Sequence, residues 1–389
     1  MNTTGRDGTK PARTKKAVSS PDHDLPKHRL VFEQLYQEIQ SGRYKVQDRL
    51  PSEAELGKSF DASRITIARA VNELQRLGLV SRRAGAGTVV LPRASISGRV
   101  FGLLIPDLGR TEIFEPICQG MMRSPLSSSH SLLWGHTMDE DAHQENEAEQ
   151  LCHQYVAQKV SGVFFAPLEY TDQKDAVNTR IAKALNAAGI PIVLLDRCFE
   201  PYPERSKCDL VGIDNRRTGY MVTSHLLRLG ARRIAFIAKP KSAATVDARV
   251  AGYREAMYAA GVCVDEDMLR RGFPEDPAFV QKTLETCRPE AIVCANDLTA
   301  AQLMQTLSDL GVRVPEQIRV AGIDDVKYAS LLPVPLTTHH QNCAEIGAIA
   351  MITMLERIDR PELPTRDILL QTHLVIRKSC GSDLGPIHR

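Results

Sequence analysis

No apolar run in this 389-residue sequence approaches the roughly 18 residues that a membrane-spanning helix needs. Nothing near the N-terminus has the order of a signal peptide, a basic start followed by an apolar stretch and small residues. The nine cysteines (Cys118, Cys152, Cys198, Cys208, Cys263, Cys287, Cys294, Cys343 and Cys380) are odd in number, scattered, and form no Cys-x-x-Cys pair. That excludes a disulfide framework and points to a reduced, cytoplasmic compartment. Of the eleven histidines only His339 and His340 adjoin, and no third ligand stands at zinc spacing. No metal and no cofactor is expected. Catalytic signatures are missing as well. There is no P-loop, no Gly-x-Ser-x-Gly elbow, no two-His-plus-carboxylate set, and no Gly-x-Gly-x-x-Gly at a strand-to-helix turn. A binding protein is expected, and not an enzyme.

What is present is unevenly spread. Hydrophobic content of 43% and charged content of 25% are ordinary for a globular protein. The length suggests two or three domains. Net charge is +2, yet residues 1–98 carry 17 Lys+Arg against 10 Asp+Glu, a net of +7, which leaves −5 on the remainder. A basic end on a mildly acidic body suits a polyanion at that end alone.

Residues 1–27 read as a disordered tail of Thr, Ser, Pro, Gly and basic residues. Helical spacing of Leu30, Val31, Leu35 and Ile39 follows. Next comes the run from Leu50 to Leu56, in which Ser52 and Glu55 stand at capping-box spacing. Asp61 and Ser63 offer oxygens for the start of another helix. Ile67, Val71 and Leu74 give that helix one apolar face, with Arg64, Thr66 and Arg69 off the stripe near its start. A buried stripe with a basic N-terminal end suits a major-groove reader. Residues 77–90 then read as two short strands joined by a Gly-containing tip, with Arg82 and Arg83 at its base. An ordinary surface helix pair is the alternative on helix pattern alone.

The order helix, helix, helix, wing over residues 28–92 resembles the winged helix-turn-helix of GntR-family transcription regulators. The residues that carry it are the Leu50-to-Glu53 run, Ser63-Arg64, Thr66, Leu74, Gly78-Leu79-Val80 and Gly85-Ala86-Gly87-Thr88. The resemblance makes Ser52, Glu53, Ser63, Arg64, Thr66, Arg69, Arg82, Arg83, Gly85, Gly87 and Thr88 the expected DNA-binding set. Two positions depart from the family pattern. Gln47 replaces the usual Gly before the run, which is expected to be harmless in a loop. Ala68 replaces a frequent recognition-helix Arg, which puts one DNA contact in doubt.

Residues 93–98 read as a short polar linker. From residue 99 apolar bursts of strand length alternate with helical stretches. Strands are expected at 100–105, 131–134, 162–166, 192–195, 210–213, 234–238, 291–295 and 318–323, with helices such as 218–229, 248–260, 298–310 and 344–358 between them. Apolar strands alternating with helices mean parallel sheets covered on both faces. About 280 residues suffice for two doubly wound lobes, whose ligand site lies at the carboxyl ends of the strands. Those ends carry Asp196-Arg197, Asp214-Asn215, Asn296-Asp297 and Asp324-Asp325, and Arg249 follows the strand at 234. Carboxylates, amides and a guanidinium converging on a cleft suit a polyhydroxylated guest. For Asn215, Asp297 and Asp325, capping of the next helix is at least as good a reading.

Residues 99–380 resemble the effector-binding core of the LacI/GalR family, related to periplasmic sugar-binding proteins. The matching segments are 211–220, 225–236, 248–253, 295–297, 318–325 and 335–338. The resemblance implies Arg249, Asn296 and Asp324 as holders of the effector's polar groups, Phe114 as a nearby aromatic, and Phe273 as a stacking one. A GntR-type head in place of that family's hinge helix matches the GntR subgroup whose members sense arabinose, so L-arabinose becomes a candidate effector. The expected fold is α/β: a winged helix-turn-helix, then a two-lobed, doubly wound parallel-sheet core of the type I periplasmic-binding-protein kind, with 381–389 as a tail. The expected function is that of a sugar-controlled repressor, a homodimer on a palindromic operator. A free sugar-binding protein or a sugar-processing enzyme is the rival reading.

Overall fold

The computed structural model describes residues 27–76, 79–83, 87–91, 98–105, 108, 112–123, 127, 129–135 and 144–385, the side chains of Gln40, Arg76 and Arg83 excepted. The chain forms two compact units that part after residue 95. The expected tail at 1–26, the linker at 93–97, the wing tip at 84–86 and the last four residues lie outside the described residues.

The first unit contains α1 (Lys27–Gln40), α2 (Glu53–Ser59), α3 (Arg64–Arg76), β1 (Val80–Arg83) and β2 (Gly87–Val90). Ile67, Ala70, Val71 and Leu74 of α3 are buried, as the stripe predicts. In α1 the buried positions are Val31, Phe32, Leu35 and Tyr36. Leu30, expected in that stripe, is exposed, because the 3.6-residue period carries the buried face through 32 and 36 instead. Ser52 and Glu55 form both halves of the capping box. Ser63 Oγ accepts from the Thr66 amide at 3.2 Å and so caps α3. β1 and β2 pair antiparallel, and the chain from 47 to 50 lies against β2 through Val90 N to Asp48 O and Leu50 N to Thr88 O, both 2.9 Å.

The second unit has two lobes, each built on a six-stranded sheet. Lobe 1 holds β3 (Val100–Leu104), β4 (Ser131–Trp134), β5 (Gly162–Phe165), β6 (Ile192–Leu195), β7 (Asp209–Ile213) and β13 (Asp367–Leu370), in the order β4-β3-β5-β6-β7-β13, all parallel. Lobe 2 holds β8 (Ile234–Ala238), β9 (Leu269–Arg271), β10 (Ala291–Cys294), β11 (Arg319–Asp324), β12 (Thr337–His340) and β14 (His373–Val375), in the order β9-β8-β10-β11-β12-β14, with only β14 antiparallel. Alternate residues of each apolar strand feed opposite cores. Val163 and Phe165 pack under α5 (Gln144–Gln158) and α6 (Lys174–Ala187), while Phe164 and Ala166 pack under α4 (Phe114–Arg123) and α11 (Cys343–Asp359). In lobe 2, Phe236 and Val293 face α7 (Asn215–Arg228) and α8 (Ala244–Ala259). Ile237 and Ile292 face α9 (Pro277–Cys287) and α10 (Asp297–Asp309).

The chain crosses between lobes three times: from β7 to α7, from β12 to α11, and from β13 to β14. The eight expected strands are all present. Four further strands, β9, β12, β13 and β14, are not expected: all four lie at or next to a sheet edge, and β9, β12 and β14 carry polar residues such as Arg270, Arg271, His340 and His373 in place of an apolar burst. Helix α8 begins at Ala244, four residues before its expected start. Residues 381–385, expected as tail, are tied to the core, where Arg319 donates to the Gly385 carbonyl at 2.7 Å.

Candidate functional site

In the first unit Glu53 draws the starts of α2 and α3 and the base of the wing together. Arg64 and Ile65 begin α3, and both are exposed, Ile65 by 71%. Glu53, at the start of α2, pairs with Arg64 Nε at 3.4 Å and with Arg82 of the wing, so one carboxylate orients two cations from different elements. Thr66 bonds Ser63 through their hydroxyls at 2.8 Å. Arg69 is exposed one turn on. Gly87 and Thr88 begin β2, whereas Gly85 and the Arg83 side chain lie outside what is described. Gln47 has φ +70. That left-handed backbone is the reason for a glycine there, so the substitution carries a strain that its loop position concealed.

In the second unit two of the three crossings and several strand ends meet at one polar cluster. Arg249, on α8, is 4% exposed. Its Nε donates to Asn215 Oδ1 at 2.8 Å, its Nη1 to the Ala295 carbonyl at 2.5 Å, and its Nη2 to Asp324 Oδ1 at 3.4 Å. Gln341 Nε2 donates to the same Asp324 oxygen at 3.0 Å. Asn215 and Gln341 belong to the first and second crossings, so residues where the lobes join hold both members of the Arg249–Asp324 pair. Asp324 has φ +126 and Asp196, just beyond β6, has φ +67. Such backbone is costly and gathers at sites where the surroundings enforce it. Burial pushes the Asp324 carboxyl well above the usual range, against the pull of Arg249, and burial also raises the Asp196 carboxyl.

Of the expected effector residues, Arg249 and Asp324 are thus brought into contact. Asn296 caps α10 by accepting from the Thr299 amide at 2.9 Å. Phe114 is fully buried, and the Arg197 guanidinium lies 5.2 Å above its ring. Phe273 is 54% exposed, just past the carboxyl end of β9, and makes no described contact with the Arg249 cluster. Asp297 serves the fold: it accepts from Thr338 Oγ1 at 2.5 Å and from the Val326 amide at 3.0 Å, and burial raises its carboxyl to about 7.

Three residues outside the expected set belong here. Asp196 Oδ1, Arg197 Nε and Gln341 Oε1 are buried polar atoms without a hydrogen-bond partner. Buried polar atoms left unpaired in a cluster mark a place for a ligand's own polar groups. Asp196-Arg197 was visible in the sequence as a strand-end pair. Gln341 carried no signal, because it follows a strand that the pattern did not reveal. Among the described residues no group of three or more His, Cys, Asp or Glu could hold a metal, and no helix is long and apolar enough to cross a membrane.

Comparison with known proteins covers both units. Residues 27–90 match the gntR family of bacterial regulatory proteins, and residues 223–380 match the periplasmic binding protein-like domain. An arabinose metabolism transcriptional repressor of Geobacillus stearothermophilus is 27% identical over 368 residues, 91% of this chain and 98% of that protein. The HTH-type transcriptional repressor PurR of Pasteurella multocida is 30% identical over 280 residues, 70% of this chain and 78% of that protein. In fold the chain is similar to the transcriptional regulator CelR in its cellobiose complex, with a TM-score of 0.62 at 24% identity, covering 82% of this chain and 91% of that one. The chain belongs to the DNA-binding transcription regulators that join a gntR-type head to a periplasmic-binding-protein-like core, and an effector governs its hold on DNA.

Proposed function

We propose that this regulator is a repressor released from its operator by a small neutral sugar held in the cleft of the core. The observation that carries the reading is the set of buried polar atoms without a hydrogen bond on Asp196, Arg197 and Gln341, with the Arg249–Asp324 pair. Carboxylate and amide oxygens accept from sugar hydroxyls, and the guanidinium donates to them. Asn296 and Phe273 complete the polar and stacking contacts. Asp196 and Asp324 balance the charges of Arg197 and Arg249, which favours a neutral effector, and Arg216, a further cation, pairs with Glu255 at 3.0 Å. The arabinose repressor among the relatives makes L-arabinose the first sugar to try.

On the DNA side, α3 enters the major groove with Arg64, Thr66 and Arg69, while Arg82, Arg83, Gly85, Gly87 and Thr88 of the wing approach the backbone or minor groove. Ser52 and Glu53 position them. The protein works in the cytoplasm as a homodimer on a palindromic operator and carries out no catalysis. The test is a thermal-shift screen of the full chain against pentoses, hexoses, disaccharides and their phosphates, followed by calorimetry on Asp324→Ala. Removing one member of a buried charged hydrogen-bonded set costs about 2–5 kcal/mol. Asp324→Ala is therefore expected to lose sugar binding at millimolar concentration while keeping DNA binding. Unchanged sugar affinity in that variant would remove the cleft assignment.

A further inference from the structure

Helix α8 carries Arg249, yet its start lacks a cap of its own. Its N-cap is Ala243, which makes no side-chain capping bond, and the third helical position is Val246. A capping box needs a hydroxyl at the first of these positions and a carboxylate or amide at the second. Neither is present. The missing half comes from the other lobe. Glu169 follows β5 of lobe 1, and its Oε2 accepts from the Ala243 amide at 3.2 Å. The neighbouring residues join in: the Tyr170 amide donates to the Lys241 carbonyl at 2.8 Å, and Asp172 pairs with Lys241. Residues 169–172 thus clasp residues 241–243 across the cleft. The other Glu169 oxygen pairs with Arg197, which lies beside Asp196.

We infer that Glu169 is a positioning residue that couples closure of the cleft to the start of α8, and through that helix to Arg249. Its carboxylate does for α8 what a Glu at the third helical position does within one helix, and its charge faces the positive end of the helix dipole. Because the two partners lie on different lobes, the cap exists only while the lobes touch. When they part, the Ala243 amide turns to water and Glu169 stays with Arg197. The start of α8, the helix that carries Arg249, is therefore firmest while the lobes touch. The inference rests on the reading of this cleft as the effector site, but its test needs no sugar, so the two can fail separately.

The test is amide hydrogen exchange on the full chain without ligand, resolved to residues 170 and 243–246, for the unaltered protein, Glu169→Gln, Glu169→Ala and Glu169→Ala with Ala243→Ser. Loss of one cap and one helix-terminal charge should speed exchange at 243–246 by about 3- to 30-fold in Glu169→Ala. Glu169→Gln keeps an acceptor and should fall between. Tyr170 should also exchange faster, because its bond crosses the same cleft. Ala243→Ser gives α8 a hydroxyl cap in its own chain segment, so it should restore protection at 244–246 while leaving Tyr170 fast. Unchanged exchange at both places in Glu169→Ala, or in Glu169→Gln if Glu169→Ala proves unfolded by circular dichroism, overturns the inference. Restoration of Tyr170 by Ala243→Ser overturns it too, since Glu169 would then be a local cap and nothing more.

Discussion

Arg64 and Gln47 show how far single residues decide behaviour in the head. Arg64 is almost free in solvent and, among the described residues, pairs with Glu53. An exposed ion pair is worth little to stability, so the value of Arg64 lies in the DNA it meets. Arg64→Ala is expected to cost about 1–3 kcal/mol of specific operator binding and to leave the melting temperature of the free protein nearly unchanged. A titration of an operator selected from random duplex DNA checks the first, and calorimetry the second. Gln47 is the converse case, a residue outside the expected DNA-binding set whose backbone is a cost to the fold. Its φ of +70 is tolerated by glycine and resisted by a side chain. Gln47→Gly is expected to stabilise the head by about 0.5–1 kcal/mol in chemical denaturation, with operator affinity unchanged. A destabilised variant would mean that the glutamine side chain offsets its own strain.

Helix pairs set the geometry of the cleft at the next scale. In lobe 2, α7 and α8 approach so closely that a Cβ on Gly219 would press on the Arg249 carbonyl, and one on Gly252 on the Arg216 carbonyl. Lobe 1 repeats the device, with Gly120 of α4 against the Ala344 carbonyl and Gly347 of α11 against the Ile117 carbonyl. Backbone cannot yield as a flexible side chain does, so an added methyl must push the helices apart. Gly219→Ala is expected to cost about 1–3 kcal/mol of core stability, the usual penalty of overpacking. It should also weaken effector binding, since the atoms displaced are the backbone of Arg249. Denaturation and sugar calorimetry on the same preparation separate the two effects. Stability lost without affinity lost would show that Arg249 keeps its place when α8 moves.

For the molecule as a whole, regulation requires that effector and operator bias the same equilibrium. The three crossings, two of them bonded to Arg249 and Asp324 through Asn215 and Gln341, are the natural hinges of lobe closure. In the proposed dimer, if it pairs both lobes, closure would change the spacing of the heads, and heads at the wrong spacing cannot both reach half-sites about one helical turn apart. Sugar is expected to weaken operator binding by about 5- to 150-fold, and saturating operator to weaken sugar binding by the same factor. Titrating each ligand with and without the other checks the equality. A long Gly/Ser insertion after Ala94 should abolish the coupling, since a flexible linker absorbs a change of spacing. Coupling of full size after the insertion would refute transmission through the linker.

Local signals settled much of this protein in advance. The helix order of the head follows from the capping residues Ser52, Glu55 and Ser63 and from the stripe through Ile67, Val71 and Leu74, because caps and helical period are short-range facts. The parallel sheets follow from continuous apolar bursts such as Gly162–Phe165, which only a strand covered on both faces can use. The Asp and Asn residues at strand ends, and Arg249 beside them, followed from the rule that such folds bind at the carboxyl edge. Other features were set by distance in the chain. β12 and β14 are strands because of the neighbours they pair with, since β12 is Thr-Thr-His-His and β14 only three residues long, and neither shows an apolar burst. Gln341 joins the site because β12 pairs in parallel beside β11 and so ends next to Asp324, 17 positions away by sequence. The start of α8 could not be read at all from Ala243 and Val246, since the carboxylate that caps it is Glu169, 74 residues earlier and on the other lobe. Caps, stripes and strand bursts lie within a few residues of one another, so the sequence by itself determined them. Which unpaired groups meet in the cleft depends on where three crossings bring distant segments, and only the tertiary structure decided that.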